Sequence, residues 1–142
     1  VTRHSVTVRH TWEAAHRLPH LPGKCQSLHG HSWAAAVTVT APELAGGMLV
    51  EFGPFKTALR AWIDDNLDHG AMLGPADPLT AALAGERCKV FPVPGWPTVE
   101  NIAALLAVVA QRELGRLTRA PGAAVACVRV RETPVNEAAW HR

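Results

Sequence analysis

Cysteine is scarce in this chain. Cys25, Cys88 and Cys127 are the only three in 142 residues, an odd count without disulfide-like spacing. That argues against a stapled secreted domain and for free thiols in a reducing cytoplasm. Long apolar runs are also missing. No stretch of about 18 apolar residues occurs, so no membrane span is expected. Val1 to Val6 lack the apolar core of a signal peptide, and a cytoplasmic location is the expectation. Neither sign of charge dominates: 14 Lys and Arg against 12 Asp and Glu leave +2. The basic residues are scattered, which speaks against a nucleic-acid partner. No internal repeat, low-complexity tract or linker divides the chain, so a single domain over 1–142 is expected.

What is present has clear periodicity. Val6, Val8, His10, Trp12, Ala14 and His16 share one parity, which predicts a strand over residues 4–16. Pro19, Pro22 and Gly23 make 17–28 a loop. A second strand is expected over 29–40, with Trp33, Ala35, Val37 and Val39 facing the same way as His29 and His31. The two strands read as a hairpin with a long connection, and long ordered loops in small domains are often functional. Residues 47–52 read as a short extended piece. Pro54 suits the first turn of a helix. Phe55, Ala58, Leu59, Trp62, Ile63 and Leu67 then follow at helical spacing to about Asp68.

Residues 70–97, rich in proline and glycine, are expected to be irregular. Thr98 is a good N-cap and Glu100 suits the first turn of a second helix running to about Leu114. Ala123 to Glu132 alternates as a strand, with Ala126, Val128, Val130 and Glu132 on one face, and 136–142 adds a short last strand. The expected fold is α+β, in the order β-β-α-α-β-β, with an antiparallel sheet and both helices on one face. The other sheet face is left bare, and a partner subunit is its simplest cover.

His29-Gly30-His31 is the strongest chemical signal. Alternate residues of a strand point the same way, so both imidazoles can meet one ion. His16 brings a third from the neighbouring strand. Three imidazole nitrogens and an open position describe a catalytic zinc site; the alternative is three unrelated surface histidines. Cys25 precedes His29 by four residues. It reads as a fourth zinc ligand, an inert thiol or a general base, and spacing does not choose among these. Asp68-His69 ends the first helix, either as a cap or as a carboxylate-supported imidazole that moves a proton. Glu132 is either a solvated carboxylate or, if buried, a partner for the paired donors of a guanidine-like heterocycle edge.

Together the segments Trp12-Glu13-Ala14-Ala15-His16-Arg17-Leu18, Cys25-Gln26-Ser27-Leu28-His29-Gly30-His31, Leu67-Asp68-His69, Pro97-Thr98-Val99-Glu100 and Val130-Arg131-Glu132-Thr133 resemble the 6-pyruvoyl-tetrahydropterin synthase and 6-carboxy-tetrahydropterin synthase family. They span nearly the whole chain in the family's order. The resemblance implies the tunnelling fold (T-fold), in which three subunits close a barrel and two trimers stack as a homohexamer. It implies active sites between subunits, zinc on His16, His29 and His31, and proton transfer by Cys25, Asp68 and His69. It implies pterin anchoring by Glu132, with Thr98 and Glu100 nearby, and 7,8-dihydroneopterin triphosphate as the substrate. Lys24 and Arg17 are candidates to meet the triphosphate, with a solvated-surface role as the alternative.

Three residues separate Cys25 from His29, which resembles the carboxy-forming branch of the family, active in the queuosine pathway. The implied reaction releases acetaldehyde and triphosphate and leaves 6-carboxy-5,6,7,8-tetrahydropterin. The pyruvoyl-forming branch, with its usually longer gap, and a non-catalytic zinc-stabilised pterin-binding oligomer are the alternatives. The chain departs from the family pattern at Trp12, at Glu51-Phe52, at Gly70 and in the length of 70–96.

Overall fold

The computed structural model describes residues 3–142; Val1 and Thr2 lie outside the described residues. Strand β1 (His4–His16) and strand β2 (His29–Ala41) pair antiparallel along their whole length, from His4 opposite Ala41 to His16 opposite His29. The alternation read from the sequence has a physical outcome here. Val8, Trp12, Ala14, Trp33, Ala35, Val37 and Val39 are all buried on one face. Helix α1 (Phe52–Asn66) adds Phe55, Leu59 and Ile63, one per turn, to the same core. Pro54 falls in its first turn, as expected.

The expectation for 70–97 was wrong. That segment forms β3 (Gly70–Leu73), α2 (Pro78–Gly85) and β4 (Val90–Pro92). Strands of four and three residues are too short to show an alternation of their own, and they form because β1 offers an edge. Ala14, Ala15 and His16 pair in parallel with Gly70, Ala71 and Met72, and β4 pairs in parallel with β3. Asp77 caps α2 by accepting from the Leu79 N–H at 2.9 Å, with Pro78 in the first turn.

Helix α3 (Val99–Leu117) runs one turn beyond the expected end, and Thr98 caps it by accepting from the Asn101 N–H at 3.1 Å. Strands β5 (Ala124–Thr133) and β6 (Asn136–His141) complete a six-stranded sheet in the order β4-β3-β1-β2-β5-β6. The fold is α+β as read. The sheet is mixed rather than purely antiparallel, with six strands instead of four and three helices instead of two. Residues 47–52 are not a strand; a tight turn with a single Ala45–Met48 bridge leads into α1.

The register of β5 against β2 shifts between Thr38 and Val39. This bulge corrects the even row expected in β5: Val125 is buried together with Val128 and Val130, and Ala126 is only half-buried.

Core and site meet at two tryptophans. Trp12 and Trp33 stack with ring centroids 5.9 Å apart and planes 12° apart, and Trp33 donates from Nε1 to the Ala14 carbonyl at 3.0 Å. Trp33 is fully buried. Trp33→Ala is expected to lower stability by about 3–5 kcal/mol through lost burial and a residual cavity, read as a shift in the urea midpoint. A loss below about 1 kcal/mol would show that the Trp33 ring is not part of the core.

Candidate metal centre and proton-transfer pair

The β1–β2 register decides where the histidines go. His16 stands opposite His29 and Ala14 opposite His31, so all three imidazoles emerge on one face at one end of the ladder. Their ring centroids lie 4.6, 5.1 and 4.9 Å apart, and one ligand atom from each falls within 4.8 Å of the others. Trp33 stands edge-on to His16 and His31 and forms an apolar wall beside them.

The ring nitrogens are committed in a way that suits a metal. His16 Nδ1 lies 2.9 Å from the Pro97 carbonyl and His29 Nδ1 lies 2.6 Å from the Ser27 carbonyl. A carbonyl only accepts, so each Nδ1 carries the proton and each Nε2 presents a lone pair. Among the described residues, three buried side-chain nitrogens lack a partner: Trp12 Nε1, His16 Nε2 and His31 Nε2. Two of the three belong to the cluster, and a buried lone pair without a partner is costly unless something binds it. Burial, the largest influence on His16, pushes its pKa down, which favours the neutral ligand form. The donor set therefore fits a borderline-soft divalent ion such as zinc.

Glu132 comes to the same place from β5. Its Oε2 lies 3.5 Å from His16 Nε2 and 3.8 Å from His31 Nε2, with the side chain 19% exposed. The alternation signal in β5 put it on the right face but did not reveal this contact.

Cys25 lies in a single 3-10 turn (Lys24–Gln26) and is exposed. It is not part of the three-imidazole cluster. The loop is tied to the end of β1 by the Leu18 N–H, which donates to the Cys25 carbonyl at 2.8 Å. Lys24 is exposed.

Asp68 and His69 form the expected pair: His69 Nδ1 lies 2.8 Å from Asp68 Oδ2. Asp68 also accepts from the Glu13 N–H at 2.9 Å, and this backbone bond is the main reason its pKa falls below the ordinary carboxylate range. His69 has a positive φ of 59° and donates its own N–H to the Glu13 carbonyl at 2.7 Å. The pair is therefore fastened to β1 rather than acting merely as a helix cap. Its imidazole is 78% exposed, and it lines a shallow depression with Glu13, Gly30, His31 and Ser32 on the uncovered sheet face.

Arg17 is placed differently from the sequence reading. Its Nε donates to Asp77 Oδ2 at 2.8 Å, Nη2 donates to Oδ1, and the Asp77 side chain is fully buried. The guanidinium is thus spent on fastening the 17–28 loop to α2. Thr98 serves as the α3 cap and Glu100 is exposed in that helix's first turn. A cavity of about 490 Å³ lies away from the histidines, lined by Ala45, Met48, Leu49, Leu117 and Arg119 among others.

The model of the family described as 6-pyruvoyl tetrahydropterin synthase matches residues 5–142. The chain belongs to this enzyme family. A 6-carboxy-5,6,7,8-tetrahydropterin synthase of Rickettsia bellii is 35% identical over 100 residues, covering 68% of this chain and 72% of the relative. In the fold alone, the chain is similar to an uncharacterized protein of Wolinella succinogenes (TM-score 0.84, 20% identity, 100% of this chain and 99% of that one). It is likewise similar to a variant of Plasmodium vivax 6-pyruvoyltetrahydropterin synthase (TM-score 0.72, 15% identity, 100% and 99%). These neighbours bear out the T-fold expectation. No described helix is long and apolar enough to cross a membrane.

The Arg17–Asp77 pair makes stability depend on pH. The Arg17 guanidinium holds the Asp77 carboxyl below the ordinary carboxylate range. A depressed carboxylate contributes stability that is fully present above its unfolded value and is lost as pH falls through its folded value. Asp77→Asn is expected to lower stability at neutral pH and to flatten the acid limb of the stability-versus-pH curve. An unchanged acid limb in that variant would contradict the pairing.

Proposed function

We propose that the chain is a zinc-dependent carbon–carbon lyase. Its substrate is 7,8-dihydroneopterin triphosphate. With uptake of water the products are 6-carboxy-5,6,7,8-tetrahydropterin, acetaldehyde and triphosphate. The observation that carries the reading is the convergence of His16, His29 and His31 with buried, unpartnered Nε2 atoms on His16 and His31. The name borne by the Rickettsia relative supports the carboxy-forming branch, as does the three-residue gap between Cys25 and His29.

Zinc, when bound, supplies a Lewis acid that polarises substrate side-chain oxygens and so acidifies the neighbouring C–H bonds. The remaining work falls to this chain's own groups. The Pro97 and Ser27 carbonyls orient the His16 and His29 rings. Cys25 takes a proton as the general base, and His69, held by Asp68, gives and takes protons at Nε2. The Glu132 carboxylate accepts from the paired N–H donors of the pterin edge. The family resemblance assigns Thr98 and Glu100 to the neighbourhood of the pterin and Lys24 to the triphosphate. Arg17 acts through the loop it fastens to Asp77 rather than on the triphosphate.

The 78% exposure of His69 and the bare sheet face support self-association, with sites completed between subunits. Three copies closing a barrel, and two such trimers as a homohexamer, are the assembly we propose. The pathway is queuosine or a related 7-deazapurine, and the location is the cytoplasm.

Mass spectrometry of the product from zinc-loaded protein is the direct test. A 6-carboxy product with stoichiometric acetaldehyde is expected; triphosphate elimination without acetaldehyde would move the chain to the pyruvoyl-forming reaction. Cys25→Ala is expected to keep full zinc content while turnover falls by a factor on the order of 10²–10⁴. Loss of zinc in that variant would instead make Cys25 a ligand and favour the non-catalytic zinc-stabilised module.

A further inference from the structure

The buried His16 ring takes its orientation from a carbonyl 81 residues further along the chain, that of Pro97. Local propensity does not favour the turn that presents this carbonyl. Gly95 and Trp96 both have positive φ, 73° and 78°. Glycine adopts that region freely, but the Cβ of a tryptophan clashes there. Something outside the turn must hold it.

Two contacts do so. The Asn101 side-chain amide Nδ2 donates to the Gly95 carbonyl at 2.5 Å and to the Trp96 carbonyl at 3.0 Å. The Trp96 ring lies directly on Gly74, where an added Cβ would come within 2.3 Å of ring atom Cε3. His20 stacks on the same ring, centroids 4.7 Å apart. Asn101 is itself fixed at the start of α3, where its N–H donates to Thr98 Oγ1. A chain of contacts therefore runs from the α3 N-terminus through a strained turn to the one metal-facing ring that is fully enclosed.

We propose that Asn101 is a positioning residue of the metal centre. Its amide holds the Gly95–Trp96 turn in the left-handed conformation, and the turn holds the Pro97 carbonyl on His16 Nδ1. That fixes the tautomer and aim of Nε2. The inference rests on the metal reading above and adds to it a residue that touches neither metal nor substrate. Partners of metal-ligating histidines are worth roughly 10–100-fold in metal affinity.

Asn101→Asp is the decisive variant. It keeps the side chain's shape and the capped backbone N–H, and a carboxylate suits the first turn of a helix. It replaces the two donated hydrogen bonds with a carboxylate facing the same two carbonyls, so the turn loses its donors and gains a repulsion. Zinc affinity of the full chain would be measured by competition with a chromophoric chelator, beside thermal melting of the metal-free protein. The expected result is a 10–100-fold loss of affinity; affinity equal to the parent's overturns the inference. Trp96→Gly and Trp96→Ala form a second test that does not depend on how Asn101→Asp folds. Both lose the ring, but only glycine takes the positive φ without strain. The glycine variant is expected to bind zinc more tightly than the alanine variant, and equal or reversed affinities overturn the inference. A parent chain that binds no zinc removes the metal reading itself, whereas a binding parent with unaffected variants removes only the role of Asn101.

Discussion

Thirteen consecutive residue pairs join β1 to β2, and the candidate site depends on their register. In a ladder the side chains alternate strictly, so a slip of one residue would send His16 to the opposite face from His29 and His31. What forbids the slip is burial. The same register that groups the imidazoles puts Trp12 opposite Trp33 and Val8 opposite Val37, all within the core. Moving one strand's apolar row to the bare face would expose a tryptophan together with its valine neighbours, at a cost of several kcal/mol. The grouping of the three imidazoles is thus specified by the hydrophobic core a few residues away.

Other parts attach to this hairpin in turn. β3 pairs with the end of β1 and carries Asp68 and His69 on its approach, fastened through both backbone groups of Glu13. β5 pairs with β2 and brings Glu132 against the imidazoles. The α2 cap Asp77 grips Arg17 where the chain leaves β1, and the α3 approach supplies the Pro97 carbonyl. The three imidazoles, the Asp68–His69 pair and Glu132 therefore come from four separate stretches of chain, each positioned against β1 or β2. His16 is enclosed and His69 is exposed, so the candidate site grades from a dry interior to the bare sheet face.

The elements legible in the sequence were those long enough to express a period. Alternation over 4–16 and 29–40 announced the two hairpin strands, and spacings of three and four residues announced α1 and α3. Thr98 as a cap and Asp68-His69 as a pair were visible because their partners are local. What escaped had partners remote in sequence. β3 and β4 have four and three residues and are strands only because an edge receives them. The bulge in β5 offset the buried row and could not be seen in the alternation. Arg17 looked free because Asp77 lies 60 residues away. The left-handed Trp96 carries no sequence signal, since tryptophan is a poor choice for that conformation, and only Gly74 and Asn101 explain it.

In the proposed centre three imidazoles of this chain, and no thiolate, hold one zinc. Zinc-edge X-ray absorption on the metal-loaded protein tests this most directly, because sulfur and nitrogen ligands differ in distance, about 2.3 Å against about 2.0 Å. The expected result is three imidazole nitrogens around the zinc, with oxygen in the remaining position. A sulfur scatterer at the longer distance, or fewer than three imidazoles, would contradict it.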